Sequence, residues 1–166
     1  MRDASLLEHI PSLRRYARAL TGDAADADDL VQACLERALR KRTLFRRGSL
    51  RAWLFTIMHN VHANDRRAGA RRSASLAALA VVEQTRADGA EPPPFSAPEL
   101  RTALAGLPVE QRSAVLLVGL EGFTCGEAAA ILGVPEGTVV SRLSRGRAAL
   151  RDRLEAVPRR AGGVAR

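Results

Sequence analysis

The sequence predicts an all-α protein built as two small helical domains joined by a flexible linker. Three observations carry that expectation. Apolar residues recur at steps of three and four almost throughout, the spacing of a helix face rather than the alternation of a strand. A stretch poor in that rhythm, SASLAALAVVEQTRADGAEPPPFSAP (residues 73–98), holds three consecutive prolines, Pro92, Pro93 and Pro94, which favour an extended spacer. Charge is split as well: residues 1–72 carry 15 cations against 8 anions, residues 73–98 carry 1 against 3, and residues 99–166 carry 10 against 7. Two basic blocks flank a mildly acidic bridge, and a chain of 166 residues has room for two cores of roughly 60 residues each.

The elements follow in order. Leu6, Ile10, Leu13, Ala17 and Leu20 line one face of a first helix that breaks at Thr21, Gly22 and Asp23. A second helix is expected to begin at residues 26–29 and run to about Arg42, burying Val31, Cys34, Leu35 and Ala38. Its acids cluster at the N-terminal end and Arg40, Lys41 and Arg42 at the other, complementing the helix dipole. Ser49 caps a long third helix over residues 50–72, with Leu50, Leu54, Ile57 and Val61 toward the core. A frayed helix is expected near residues 76–82. After the linker, Leu100, Leu104 and Leu107 mark a helix ended by Pro108, followed by helices over residues 110–120, 124–132 and 136–155. Residues 158–166 read as a disordered basic tail. The expected divisions are therefore 1–72, 73–98, 99–157 and 158–166.

Composition narrows the function classes. The formal net charge is +8, and every cation except Lys41 is arginine, whose planar fork of donors suits phosphate. A polyanionic partner is the natural expectation. Cys34 and Cys125 stand far apart without C-x-x-C or His-rich spacing, so neither a zinc site nor a disulfide framework is expected, and both read as small buried hydrophobes. No apolar run approaches the roughly 18 residues of a membrane span, and the N-terminus MRDASLLEHI lacks a signal peptide's layout, which predicts no membrane insertion and a cytoplasmic protein. His9, His59 and His62 make no convincing metal or acid/base set with the acids, so no catalytic residue, metal or cofactor is expected.

The stretch CGEAAAILGVPEGTVVSRLSRGRAAL (residues 125–150) has the parts of a helix-turn-helix. Thr124 is placed to cap the first helix, Gly133 to end it at positive φ, and Pro135 to enter the second. Projected at about 100° per residue, Val139, Leu143, Gly146, Leu150 and Leu154 form the inner face. Thr138, Ser141 and Arg145 fall opposite, with Arg142 on the flank, as hydroxyls and guanidiniums able to bond base edges and phosphates.

The third helix carries a second polar stripe. Trp53, Thr56, Asn60, Asn64, Arg67 and Arg71 lie within roughly 60° of one line, and Arg66 sits beside it. Such a face combines phosphate neutralisation, amide hydrogen bonding and a stacking platform for unpaired bases. Trp53, a lone tryptophan, reads first as a core anchor. Asparagines this deep in a helix run against propensity and ask for another reason. These surfaces suit a protein that meets both duplex and unpaired nucleic acid; the alternative is a stand-alone helix-turn-helix regulator that binds duplex DNA by itself.

Three segments, DADDLVQACLERAL (residues 26–39), LRAWLFTIMHNVHANDRRAGARR (50–72) and LAGLPVEQRSAVLLVGLEGFTCGEAAAILGVPEGTVVSRLSRGRAALR (104–151), resemble regions 2 and 4 of bacterial RNA polymerase sigma factors of the sigma-70 family, extracytoplasmic-function (ECF) type. The resemblance implies a factor that binds core RNA polymerase, directs it to −35 and −10 promoter elements and promotes DNA melting. It implies that Asp28, Asp29, Gln32, Glu36 and Arg40 dock on the clamp helices of the β′ subunit, with further contacts to the β subunit. Asn60, Asn64, Arg66, Arg67 and Arg71, with the loop at residues 43–49, would hold the −10 element as a single strand, and Thr138, Ser141, Arg142 and Arg145 would read the −35 duplex. The linker would thread toward the polymerase channels. An anti-sigma factor is an implied partner.

Overall fold

The computed structural model describes residues 6–45, 48–69 and 95–156. Most of the expected linker, the helix expected near residues 76–82, Arg71 and the basic tail lie outside these residues. The described residues form helices and no strand: α1 (Ile10–Thr21), α2 (Ala24–Arg40), a short 3-10 turn (Arg42–Leu44), α3 (Leu50–Gly69), α4 (Ala97–Ala105), α5 (Val109–Val115) continued by a π-helical segment (Leu116–Leu120), α6 (Cys125–Leu132) and α7 (Glu136–Glu155).

The local reasons for these boundaries are visible in the caps. Gly22 closes α1 at φ 78°, donating its N–H to the Arg18 carbonyl, where a Cβ would be strained. The second helix begins earlier than expected, at Ala24, because Asp23 is its cap and accepts from the Asp26 N–H. Ser49 does cap α3, its hydroxyl accepting from the Ala52 N–H at 3.2 Å. Helix α4 starts inside the stretch read as linker. Ser96 and Glu99 close a reciprocal capping box there, which fixes the first turn at Ala97. Thr124 and Glu127 form the same device at the head of α6, and Gly133 ends that helix at φ 65°. Helix α7 spans Glu136–Glu155, as its periodicity predicts.

Helices α1, α2 and α3 pack around Leu13, Tyr16, Leu20, Cys34, Leu54 and Met58, while α5, α6 and α7 close over Leu117, Ile131, Val139 and Leu143. The two groups are not held apart. Tyr16 of α1, Phe55 of α3 and Phe123 after the π-helical segment stack edge to face at 5.1 Å each, joining both halves into one continuous core. Periodicity missed Tyr16, Phe55 and Met58, all fully buried; Tyr16 and Phe55 also meet residues of the other half.

One glycine lies where α7 packs closely on α5. A Cβ on Gly146 of α7 would lie 2.7 Å from a Val115 methyl and 3.3 Å from the Gln111 backbone of α5. Helix propensity favours alanine there by about 1 kcal/mol, but overpacking costs about 1–3 kcal/mol. Gly146→Ala is therefore expected to lower the urea midpoint of unfolding, where a helix-propensity effect alone would raise it.

Candidate nucleic-acid and polymerase interfaces

Three surfaces carry the residues singled out from the sequence. On α2, Asp28, Gln32, Glu36 and Arg40 recur every four residues along an exposed ridge, with exposed Asp29 beside it. The Gln32 amide donates to Glu36 at 3.2 Å, and Arg40 pairs with Glu36 at 3.6 Å. As an exposed i,i+4 pair this adds only tenths of a kcal/mol; its effect is to order the side chains in a row that a partner can meet.

On α3, Asn60, Asn64, Arg66 and Arg67 are all exposed. Thr56 is already engaged, its hydroxyl donating to the Ala52 carbonyl at 2.9 Å. Trp53 is half-buried, packs against the core and leans on Phe45 with ring centroids 5.3 Å apart, which agrees with core packing rather than a free stacking platform. A shallow cleft of about 190 Å³ runs between α2 and α3, lined by Glu36 and Arg40 on one wall and Asn64 and Asp65 on the other. Glu36 and Arg40 of the α2 ridge and Asn64 of the α3 stripe thus line one cleft.

On α7, the outer face forms a connected run. The Ser141 hydroxyl donates to the Thr138 carbonyl at 3.2 Å, and the Arg145 guanidinium donates to the Ser141 hydroxyl at 3.0 Å. Arg145 is exposed; Thr138, Ser141 and Arg142 are half-buried. The structure therefore links Thr138, Ser141 and Arg145 on one face, while the charge of Arg142 acts on His59 of α3.

What the sequence did not reveal is the contact between the halves. The Glu121 side chain is fully buried, and two arginines from the N-terminal helices close on it. Arg15 of α1 grips both carboxylate oxygens, Nε to Oε1 at 3.0 Å and Nη2 to Oε2 at 2.8 Å. Arg51 of α3 donates to Oε2 at 2.9 Å and to the Glu121 carbonyl at 2.6 Å. Its guanidinium also lies 4.2 Å from the Phe123 ring centroid and 5.4 Å from that of Phe55. The π-helical turn aims the carboxylate inward: the Glu121 N–H reaches back five residues to the Leu116 carbonyl. Nearby, Arg112 of α5 donates to the Leu20 carbonyl of α1 at 2.6 Å, and Arg66 approaches Glu110 at 3.8 Å. The sequence signal for this site was a lone acid within the apolar run LLVGLEGF.

Burial also sets the chemistry of the titratable groups at this junction. Burial pushes the Tyr16 phenol up, with Ser113 offsetting part of the shift and the Glu121 charge adding to it. Cys34, buried with its thiol 3.4 Å from the Leu54 carbonyl, is pushed up to about 12 by burial, which removes it as a reactive thiolate. Burial and then the charges of Arg142 and Arg67 hold His59 below its ordinary value. His62 is brought down to about 4 by burial, then by Arg66, His59 and Arg112, with Asp65 opposing. Both histidines are therefore neutral in the packed chain at pH 7. A group with a lowered folded-state pKa takes up its proton more readily once released, so stability present above about pH 6.5 is lost as the pH falls toward 4. The urea midpoint is expected to fall between pH 7 and pH 5, and His62→Gln to flatten that slope; an unchanged slope would remove His62 from the account.

Among the described residues no group of His, Cys, Asp and Glu is arranged to hold a metal ion, and no helix is long and apolar enough to cross a membrane.

Comparison with known proteins fits this geometry. Residues 6–59 match the family model of the Sigma2 domain of PhyR, and residues 98–150 match the model of Sigma-70, region 4. The ECF RNA polymerase sigma factor EcfG of Rhodopseudomonas palustris is 42% identical over 146 residues, covering 87% of this chain and 80% of the relative. The sigma factor RpoE of Bartonella quintana, solved in complex with the anti-sigma factor NepR, superposes with a TM-score of 0.80 at 35% identity over 93% of this chain and 96% of that one. The PhyRSL–NepR complex of Sphingomonas sp. Fr1 gives a TM-score of 0.65 at 29% identity, covering 92% and 88%. With both halves matched in order and the likeness running through nearly the whole described chain, the protein belongs to the ECF family of RNA polymerase sigma factors.

Proposed function

We propose that the chain binds core RNA polymerase, directs it to promoters through a −35 duplex and a −10 single strand, and helps open the DNA. The observation that supports this most strongly is the presence of two unlike DNA-facing surfaces, an amide and guanidinium stripe on α3 and a hydroxyl and guanidinium run on α7, beside an ordered charged ridge on α2. In this reading Asp28, Asp29, Gln32, Glu36 and Arg40 meet the β′ clamp helices. Asn60, Asn64, Arg66, Arg67 and Arg71 hold the melted −10 strand, and Thr138, Ser141, Arg142 and Arg145 read the −35 element. Residues 1–72 act as region 2 and residues 99–157 as region 4, and the protein works in the cytoplasm without a catalytic role of its own. An anti-sigma protein of the NepR kind is the natural inhibitor, since the RpoE relative is solved bound to one.

Co-purification with core polymerase, followed by sequencing of transcripts after overproduction, tests the proposal. It expects shared upstream motifs at the induced start sites; no association and no new starts would overturn it. The family relationship leaves little support for a stand-alone regulator. A second reading is favoured by the Sigma2 match to PhyR and by the PhyRSL–NepR likeness: a NepR-binding domain that never engages polymerase. Binding of NepR with no transcription from core polymerase would select it.

A further inference from the structure

We propose that Glu121 is a latch that holds this chain in a closed, DNA-incompetent state, and that the Arg15–Glu121–Arg51 cluster must break before both promoter elements can be engaged. The proposal rests on the sigma-factor reading above and concerns its regulation.

Distance is the first reason. Elements centred near −35 and −10 lie roughly 80 Å apart along duplex DNA at about 3.4 Å per base pair, whereas a compact chain of this length is roughly 40 Å across. In the structure the two DNA-facing helices belong to one body: the halves share a core through Tyr16, Phe55 and Phe123, and Arg142 of α7 acts electrostatically on His59 of α3. Thr138, Ser141 and Arg142 are half-buried rather than presented freely. One body of this size cannot reach both elements at once, so α3 and α7 have to separate.

The chemistry of the contact suits reversible closure. At its centre is a carboxylate with no solvent exposure, met by two arginines from the other half. A buried ion pair gains little net stability over the same charges in water, yet is specific in geometry. Arg15 engages it through both nitrogens of a fork, and Arg51 joins the carboxylate, the Glu121 carbonyl and the faces of Phe123 and Phe55 in one grip. On opening, water can solvate all three charges again. The cluster thus favours one closed arrangement without making it permanent, and a partner that prefers either arrangement can shift the balance. None of these three residues belongs to the proposed polymerase or DNA contacts.

The test compares the wild type with the double variant Arg15→Ala/Arg51→Ala, which leaves every C-terminal residue intact, and with Glu121→Gln, which keeps the side-chain shape. Small-angle scattering reports compactness, and anisotropy with a random-sequence duplex two helical turns long reports access to the α7 face. Both variants are expected to raise the radius of gyration by about 20% and duplex affinity about tenfold. Combining all three substitutions is expected to add nothing further, as for residues acting as one unit. Unchanged scattering and affinity would overturn the latch. So would loss of the helical circular dichroism signal in the double variant, which would make the cluster part of each half's fold. If the wild type fails to start transcription with core polymerase, the sigma-factor reading falls while the scattering comparison still stands; unchanged scattering in a transcriptionally active chain sinks the latch alone.

Discussion

Arg145→Ala is expected to lower binding of the polymerase complex to its promoter by about tenfold to a hundredfold, because a single well-placed arginine contact to a base edge carries about 1–3 kcal/mol of discrimination. Arg145 is the exposed member of the outer face of α7, and its guanidinium already lies along Ser141. Arg145 lies on α7, apart from the charged ridge on α2, so association with core polymerase is expected to stay at the wild-type level. Asn64→Ala separates the two DNA functions: it sits on α3, exposed, at the rim of the cleft beside Glu36 and Arg40. Its expected signature is retained duplex recognition with reduced promoter opening, read as lower permanganate reactivity of thymines in the melted region. Equal loss of polymerase binding in both variants would show that these residues shape the fold rather than read DNA.

The second large effect is on stability. Phe55→Ala is expected to destabilise the protein by about 3–5 kcal/mol, the usual cost of deleting a buried aromatic. Phe55 has no solvent exposure, packs edge to face on Tyr16 and on Phe123, and supports the Arg51 guanidinium from below. Its loss opens a cavity where core side chains of both halves meet. For a chain of this size the thermal midpoint should fall by on the order of 10 °C, measured by circular dichroism at 222 nm. Against a total stability of typically about 5–15 kcal/mol, a drop of that size makes the variant prone to unfold near growth temperature. A shift of a degree or two would place Phe55 outside the shared core.

Much of the local structure was legible because its causes are local. The three-and-four rhythm of Val139, Leu143, Gly146 and Leu154 fixes the inner face of α7, and all four are buried. Leu150 is only half-buried, at the end of that face. Thr124, Gly133 and Pro135 do what their chemistry dictates at the turn. Where a boundary was misplaced, a side chain one turn away was responsible: Asp23 caps α2 before the acids that marked its start, and Ser96 with Glu99 begins α4 inside the expected linker. The expected site residues that are described sit together on their faces because helical spacing alone groups them.

What no reading of spacing could supply is the relation between the halves. Arg15, Arg51 and Glu121 are separated by up to 106 positions, and each looks ordinary in its own segment: two arginines among many, and one acid at a helix end. Periodicity reports which face of a helix is apolar, not what covers it. It placed Leu54, Ile57 and Val61 toward a core but left Tyr16 and Phe55 unassigned, since their partners come from across the chain. Charge counting likewise gave two basic blocks and suggested that they stand apart. The sequence by itself determined the helices, the caps at Ser49 and Thr124 and the two polar stripes, all consequences of interactions within a few residues. Only the tertiary structure decided that the stripes share one body closed over a buried carboxylate, because a charge is favourably buried only where folding brings its partners within hydrogen-bond reach.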